Sequence, residues 1–239
     1  MWLWALLPLS LAVFGIAGIW IVYVISVSNG TVNITERFPY ISECGSYTPQ
    51  STIFSQYCNI CTIIGLWIVF VRFQQVRDYG DHGKANTLGV ILGFVSCAGV
   101  SVLGNFQQSV QRMVHLVGAF TAFIVGLLYF WVQLFLTYRV QPSYDRHWVG
   151  PTRALCCCLC TVLCVTMVAL ANTGHRSAAA ACEWALVMLF FCLFGLFGAE
   201  FRHVDCHRLT VQRHVLKTQR TSLCVVSNHH LATVQNTPV

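Results

Sequence analysis

A run of thiols offers the first candidate for chemistry. Cys156, Cys157, Cys158 and Cys160 form the stretch CCCLC, shortly after Arg153. Cysteines beside a basic residue at the edge of a membrane span are candidates for S-palmitoylation. The alternative interpretation is that they pack inside a helical bundle as small apolar side chains. Consecutive cysteines do not converge on one ion as a Cys-x-x-Cys pair does, so the run does not predict a metal site.

Two acceptor motifs for N-glycosylation lie close together, at Asn29-Gly30-Thr31 and Asn33-Ile34-Thr35. An Asn-x-Thr acceptor is used only where the enzymes of the secretory lumen reach it, so the segment 28–52 is predicted to be lumenal or extracellular. Cys44 lies in the same segment and can pair with Cys58 or Cys182 in an oxidising lumen. The sequence does not choose between these pairings.

A set of polar side chains lies at the predicted lumenal ends of the apolar runs. Its members are Asn105, Gln107, His115 and Glu183. A carboxylate at the edge of hydrocarbon is costly unless it is paired or hydrated, so Glu183 is expected to face the bundle or the interface. Its expected partner is Arg112, His115 or Arg176. Two interpretations stay open, a structural hydrogen-bond cluster and a ligand-binding or proton-sensing site.

Signatures of enzymes and ion-coupled transporters are absent from the sequence. It contains no His-Glu-x-x-His, no Gly-x-Ser-x-Gly and no phosphate-binding glycine loop with lysine. Glu183 and Glu200 are the carboxylates within apolar runs, and each lies near an end, away from the mid-membrane position typical of ion coupling. In the tail, the set His203, Asp205, Cys206 and His207 lacks a second ligand pair for zinc. We therefore predict a protein with no catalytic residue, no cofactor and no metal.

The composition indicates the class of fold that positions these residues. Of 239 residues 56% are hydrophobic and 9% are charged, too few charges to cover a water-soluble surface. Apolar runs of about the length that spans a bilayer predict an all-α integral membrane bundle of six helices. These runs cover about 3–27, 53–71, 87–106, 115–138, 154–172 and 181–201.

The distribution of Lys and Arg predicts the orientation. The segments 72–86, 139–153 and 202–239 hold eleven of these residues, whereas the other three loops hold three. This bias places both termini in the cytosol, in agreement with lumenal acceptors at Asn29 and Asn33. The alternative for residues 1–27 is a cleaved signal peptide, but the run has no basic start and is longer than a signal-peptide core.

The segment 202–239 is predicted to be a disordered cytosolic tail. It carries five Lys and Arg residues, which are attracted to anionic lipid by about 1 kcal/mol each. The net charge of +6 lies in loops and tail without interleaved aromatics, so no nucleic-acid partner is predicted. Within the third span, Gly89-x-x-x-Gly93 predicts close helix packing inside the bundle, with a dimer face as the alternative.

Three short motifs suggest a family. Phe38-Pro39-Tyr40-Ile41-Ser42 followed by Gly45, then Gly104-Asn105-Phe106-Gln107, then Ala181-Cys182-Glu183-Trp184, lie in order on six spans. In this the chain resembles the DNA-damage-regulated autophagy modulators, a family that includes the transmembrane protein 150 group and the yeast suppressor-of-four-kinase proteins. The finer resemblance, through Cys44-Gly45-Ser46 and Leu127-Leu128-Tyr129-Phe130-Trp131, is to the transmembrane protein 150 group.

The resemblance implies a glycosylated multi-pass modulator of macroautophagy and of survival under starvation. It implies residence in the plasma membrane and in endosomal and autophagosomal membranes, and it supplies no catalytic residue. Two other functions stay open: an organiser of phosphoinositide synthesis that recruits a lipid-kinase complex, as the A-type and yeast relatives imply, and a transporter of a small solute or lipid. The direct partner, a membrane or cytosolic protein, is not identified by the sequence.

Overall fold

A computed structural model of the protein describes residues 3–140 and 145–204. Throughout these residues the regular structure is helical, as the composition predicts. A 3₁₀ turn, Leu3–Ala5, leads into the first helix, and one turn of π-helix, Thr121–Val125, joins two α-helices within the fourth span. The α-helices are α1 (Leu6–Ser28), α2 (Ile41–Cys44), α3 (Gln50–Asp78), α4 (Lys84–Asn105), α5 (Arg112–Phe120), α6 (Gly126–Arg139), α7 (Arg146–Asn172), α8 (Arg176–Gly195) and α9 (Phe197–Phe201).

Six helices long and apolar enough to cross a bilayer confirm the predicted fold class. They are Leu3–Ser28, Gln50–Asp78, Lys84–Asn105, Arg112–Arg139, Arg146–Asn172 and Arg176–Phe201. Several extend beyond the apolar runs read from the sequence, most of all α3 and α7. The added turns contain arginine and glutamine, which are good helix formers but end a hydropathy-defined run. The helices therefore carry polar residues into the bundle that the sequence analysis assigned to loops.

Glycines on α4 allow its neighbours to approach closely. Gly89 and Gly93 are buried, and a Cβ at Gly93 would lie 2.6 Å from the side chain of Val69. A Cβ at Gly99 would lie 2.6 Å from the backbone nitrogen of Ala122, in the π-helical turn. The predicted close packing at Gly89 and Gly93 within the bundle is confirmed. Gly99 adds a third close approach, against the π-helical turn.

The two ends of the bundle differ in the chain segments that lie at them. Six spans place the start of α1 and the end of α9 at one end, which we call the termini end. The other end carries the connection between α1 and α3, and we call it the loop-1 end. The charge distribution predicts that the termini end faces the cytosol. The predicted cytosolic tail begins at 202 and, from residue 205 on, lies outside the described residues.

Candidate functional site

The loop-1 end is closed by a folded cap, residues 37–46, that rests on α8. The short helix α2 starts in a capping box, in which the Tyr40 backbone nitrogen donates to Oε2 of Glu43 at 3.1 Å. The other oxygen of Glu43 pairs with Arg37 at 2.9 Å and with Arg176 of α8 at 3.0 Å. Trp184 Nε1 donates to the Pro39 carbonyl at 3.0 Å. The cap is thus tied to α8 by an ion pair and by a buried indole hydrogen bond.

Glu183 joins this cap from inside the bundle. Its Oε2 accepts a hydrogen bond of 2.7 Å from the backbone nitrogen of Ile41, at the first turn of α2. A backbone donor therefore takes the place of the side-chain partner expected among Arg112, His115 and Arg176. Arg176 is instead engaged by Glu43. The carboxyl group lies at the N-terminus of a short helix, where a free backbone N–H group donates to it.

Below the cap the bundle encloses a cavity of about 130 Å³. Its walls come from α1, α3, α4, α8 and the fourth span, and most of the lining atoms are apolar. Glu183, His115 and Ser42 line it at the loop-1 end, and Phe194 lines it toward the middle of the bundle. An apolar cavity with a few polar groups at one end is the usual form of a small-molecule site.

The four polar residues predicted to form one cluster lie in separate hydrogen-bond groups. Asn105 bonds Ser55 and Asn59 of α3, with the Ser55 hydroxyl donating at 2.6 Å. His115 Nδ1 lies 3.0 Å from the Leu103 carbonyl and 2.8 Å from the Phe106 carbonyl. The carbonyl of Gln107 accepts from the backbone nitrogens of the turn that precedes α5. Of the four, the structure brings His115 and Glu183 together, as lining residues of the cavity.

At the termini end a second polar site lies buried in the bundle. Glu200 of α9 pairs with Arg153 of α7 at 2.6 Å and with Arg72 of α3 at 3.0 Å. Thr137 of α6 accepts a hydrogen bond from Arg153, and Gln75 Nε2 donates to the Glu200 carbonyl at 2.8 Å. We call these five residues the charge cluster. It connects α3, α6, α7 and α9, so it fixes the positions of four helices relative to one another.

The charge cluster was not predicted from the sequence, because Arg72 and Arg153 lie just outside the apolar runs and were assigned to loops. Both lie inside helices and are almost fully buried. Removing them from the eleven basic residues on the predicted cytosolic side still leaves nine against three, so the basis of the orientation prediction holds. The sequence does carry a signal for part of this cluster. Arg72 directly follows an apolar run, and Gln75 lies one helical turn later on the same face. This spacing predicts that the helix continues beyond the apolar run with a polar face.

The CCCLC run divides into two environments. Cys156, Cys157 and Cys160 are buried in the bundle, whereas Cys158 is exposed on its outer face. The packing interpretation therefore describes three of these cysteines, and Cys158 is left as the candidate for palmitoylation. Cys192 of α8 is also exposed, a candidate that the sequence analysis did not single out.

Cysteines at the loop-1 end are free thiols in the described part of the chain. Cys44 and Cys58 are buried and Cys182 is half-buried. Burial, reinforced by the nearby Glu183 carboxylate, raises the pKa of the Cys44 thiol to about 12. Since the thiolate is the reactive form, Cys44 is an inert packing residue at neutral pH.

Both predicted glycosylation acceptors are exposed. Asn29 immediately follows the last residue of α1. Asn33 lies in a turn, where its Oδ1 accepts from the hydroxyl of Thr35 at 2.7 Å and from the Thr35 backbone nitrogen at 3.1 Å. Both motifs are accessible at the same end of the bundle as the cap.

Within the ranges 3–140 and 145–204, no group of three His, Cys, Asp or Glu side chains could hold a metal ion. The candidate zinc residues of the tail beyond His203 lie outside these ranges. What the described residues do offer is a capped cavity at one end and a paired charge cluster at the other.

The family model for the Frag1/DRAM/Sfk1/Cwh43P N-terminal domain matches residues 3–204 of the chain. The chain belongs to this family. The three motifs that carried the family resemblance meet at the loop-1 end: Pro39 and Ile41 of the first contact Trp184 and Glu183 of the third. Gly104 of the second allows α4 to approach Cys58 of α3, where a Cβ would lie 2.3 Å from the Cys58 Cβ. The family motifs thus build the cap and the helix packing beneath it.

Several relatives within the Frag1/DRAM/Sfk1 family are named modulators of macroautophagy, in agreement with the finer resemblance. "Modulator of macroautophagy TMEM150B" from Danio rerio is 58% identical over 91% of this chain and 94% of its own length. The protein of the same name from Homo sapiens is 46% identical over 87% of this chain and 90% of its own length. "Transmembrane protein 150A" from Xenopus laevis is 31% identical over 84% of this chain. No solved structure is significantly similar to the chain.

Proposed function

We propose that the chain is a non-enzymatic multi-pass membrane protein that modulates macroautophagy, and with it the survival of cells deprived of glucose. The observation that carries the proposal is the 58% identity, over nearly the whole of both chains, to a relative named a modulator of macroautophagy. The alignment covers 91% of this chain, and the family model matches residues 3–204, which hold the six spans, so the whole bundle is available for the same role.

The chemistry of the described residues supports action through binding. The carboxyl groups at the two ends of the last span are each held by fixed partners: Glu183 by a backbone nitrogen, Glu200 by two arginines. General acid–base chemistry would need such a group poised beside a reacting substrate and a second catalytic side chain. We infer that the protein acts on other membrane components, through contacts of the cap, the outer helix faces or the tail.

The proposed locations are the plasma membrane and the endosomal and autophagosomal membranes, with both termini in the cytosol. In that orientation the basic residues of the segment 202–239 meet the anionic leaflet, which attracts them by about 1 kcal/mol each. The cap and its acceptors, Asn29 and Asn33, then face the lumen or the cell exterior.

The test is autophagic flux in cells that overexpress the chain. The lipidated autophagosome marker should rise, and it should rise further when lysosomal degradation is blocked, because that block separates increased formation from impaired clearance. Depletion should lower survival in glucose-free medium. A matched pair of variants controls for the fold: Gly195→Ala, where a Cβ meets only ordinary contacts, should act as the wild type, and Gly99→Leu, where a side chain clashes with backbone, should not.

Two other outcomes would replace the proposal. Unchanged marker and survival, with altered phosphoinositide levels or resynthesis at the plasma membrane, would assign the chain to the organisation of phosphoinositide synthesis. Movement of a solute or of lipid by the purified protein in liposomes, without any partner, would assign it to transport.

A further inference from the structure

We propose that the cavity below the cap is a binding site for one compact, apolar small molecule of about the size of benzene. Three features of the bundle support this site: the volume of the cavity, the hydrogen bonds made by its polar wall residues, and the single turn of π-helix that forms part of the wall. The site is independent of any role in macroautophagy.

The volume of the cavity limits the size of the guest. It measures about 130 Å³. An apolar cavity of about 150 Å³ inside a protein takes up benzene or xenon, so a guest of about six non-hydrogen atoms fits here. Lipids, sterols and peptides are several times larger and are excluded.

Aromatic and aliphatic side chains form most of the wall. Phe54 comes from α3 and Leu103 from α4, Phe123 comes from the fourth span, and Val187 and Phe190 come from α8. A water molecule in a cavity needs about two to four polar partners, which walls of this kind do not supply. An apolar guest instead gains dispersion contacts with the surrounding side chains. The wall therefore favours an apolar guest over water.

The hydroxyl groups of the wall offer nothing to a polar guest, because each donates its hydrogen within the protein. A guest that accepts hydrogen bonds would lose its bonds to water without finding a hydroxyl donor, and this lowers its affinity. The other polar side chains of the wall, Glu183 and His115, lie at the loop-1 end and leave the deeper part apolar. The hydroxyl bonds run from Tyr57 to Gly15 at 2.7 Å, from Thr62 to Cys97 at 3.2 Å, from Ser96 to Ala122 at 3.0 Å and from Ser42 to Gln108 at 2.6 Å.

The π-helical turn of the fourth span, Thr121–Val125, contributes Ala122 and Phe123 to the wall. Such turns are rare and occur frequently at functional sites. Helix α4 stabilises this one, since the Ser96 hydroxyl donates to the Ala122 carbonyl and Gly99 allows α4 to approach the Ala122 nitrogen. An apolar cavity of ligand size and a helix irregularity typical of functional sites thus coincide at one place in the bundle.

The experiment measures the thermal unfolding midpoint of the full-length protein in detergent, with benzene as the probe. Benzene at about ten times its dissociation constant should raise the midpoint saturably by about 3–6 °C, because it binds the folded state. Pyrimidine, a ring of the same size that accepts hydrogen bonds, should need a concentration at least about ten-fold higher for the same rise. Anthracene, with three fused rings, should have no saturable effect.

A matched pair of variants locates the site. Val187→Phe fills the cavity and should abolish the rise with benzene, whereas Val165→Phe, on the exposed face of α7, should retain it. Because benzene also dissolves in the detergent micelle, the difference between the two variants reports binding in the cavity. A cooperative unfolding transition shows that each variant is folded.

A second measurement decides the question should Val187→Phe fail to fold. A benzene-sized aryl diazirine, activated by light in the wild-type protein, should label peptides of α3, α4, the fourth span and α8 that line the cavity. An excess of benzene should suppress this label.

Each part of the proposal has an outcome that would overturn it. Equal rises in Val187→Phe and Val165→Phe, or label on the outer helix faces that benzene does not suppress, would overturn the site. An equal response to pyrimidine and benzene would overturn the apolar class of the guest. Saturable stabilisation by anthracene would overturn the size limit.

Discussion

Glu183 and Glu200 lie on the same membrane span, about 25 Å apart along its axis, and they are held in different ways. Glu200 pairs with two arginines, so the charge cluster has a net charge of +1 and is closed to solvent. Glu183 has one backbone partner and borders a cavity. The end of the span at Glu200 thus fixes the positions of the helices, whereas the end at Glu183 has a cavity beside its carboxyl group.

This difference indicates that the termini end contributes to stability and the loop-1 end to binding. A buried charge that has lost its partner costs several kcal/mol, so the charge cluster holds α3, α6, α7 and α9 in a single arrangement. A carboxyl group with spare acceptor capacity beside a cavity can take a ligand without giving up a structural bond. We therefore expect mutations at the termini end to act on folding and mutations at the loop-1 end to act more on binding.

Glu200→Gln should produce the largest loss of stability. It leaves Arg72 and Arg153 buried without a counter-charge, which costs about 3–5 kcal/mol. The measurement is the thermal unfolding midpoint of the purified protein in detergent, together with the fraction that leaves the endoplasmic reticulum.

The control for that variant is Glu43→Gln in the cap. Glu43 also pairs with two arginines, but Arg37 and Arg176 are half-exposed, so its loss should cost about 0–1 kcal/mol. Equal midpoints for Glu200→Gln and Glu43→Gln would contradict the structural role of the charge cluster.

Glu183→Leu should have an intermediate effect. It leaves the Ile41 backbone nitrogen without its acceptor, at a cost of about 1–3 kcal/mol, and detaches the cap from α8 at that point. Glu183→Gln keeps an acceptor oxygen and should remain close to the wild type in the same unfolding measurement. If the Gln variant were as unstable as the Leu variant, the charge and not the hydrogen bond would hold the cap.

Gly99→Ala tests the packing between the two ends. The added Cβ would lie 2.6 Å from the Ala122 nitrogen and 2.9 Å from the Gly118 carbonyl, and backbone cannot move aside as a side chain can. Overpacking of this kind costs about 1–3 kcal/mol. Gly195→Ala, where the nearest atom is 3.5 Å away, is the matched change and should not destabilise. Similar midpoints for the two variants would mean that α4 is free to shift.

The sequence predicted the six spans because apolar length is sufficient to identify a helix that crosses hydrocarbon. It did not predict the charge cluster, because hydropathy ends a span at the first polar turn, and Arg72 and Arg153 lie in such turns. The two motifs that form the cap contact, Pro39-Tyr40-Ile41 and Glu183-Trp184, were identified in the sequence, but their contact was not predicted. They are far apart in the chain, and the packing of the helices brings them together. The partner of Glu183 was missed because a backbone donor leaves no trace in residue identity.

The exposed acceptors test which end of the bundle faces the lumen. Expressed in cells, the protein should lose mass on deglycosylation, and Asn33→Gln should remove more of that shift than Asn29→Gln. Asn29 directly follows α1 and lies close to the bilayer, whereas Asn33 lies further out in the loop. The double variant should show no shift and an unchanged unfolding midpoint. An epitope at residue 239 that antibody reaches without permeabilisation would reverse the assignment of the two ends.

The smallest structural effect is expected from the two thiols exposed on the outer faces of α7 and α8, Cys158 and Cys192. Acyl exchange should label the wild type, and Cys158→Ala should reduce the label, whereas the buried Cys157→Ala should leave it unchanged, because an acyl chain needs a thiol on the outer face. Label that survives in Cys158→Ala should disappear in the double variant with Cys192→Ala, since Cys192 is the other exposed thiol among the described residues. Neither change removes a hydrogen bond or an ion pair, so the unfolding midpoint should stay within about 0.5 kcal/mol of the wild type. Undiminished label in the double variant would move the modification to the tail cysteines, Cys206 and Cys224, and would return Cys158 to the packing interpretation that its three neighbours already fit.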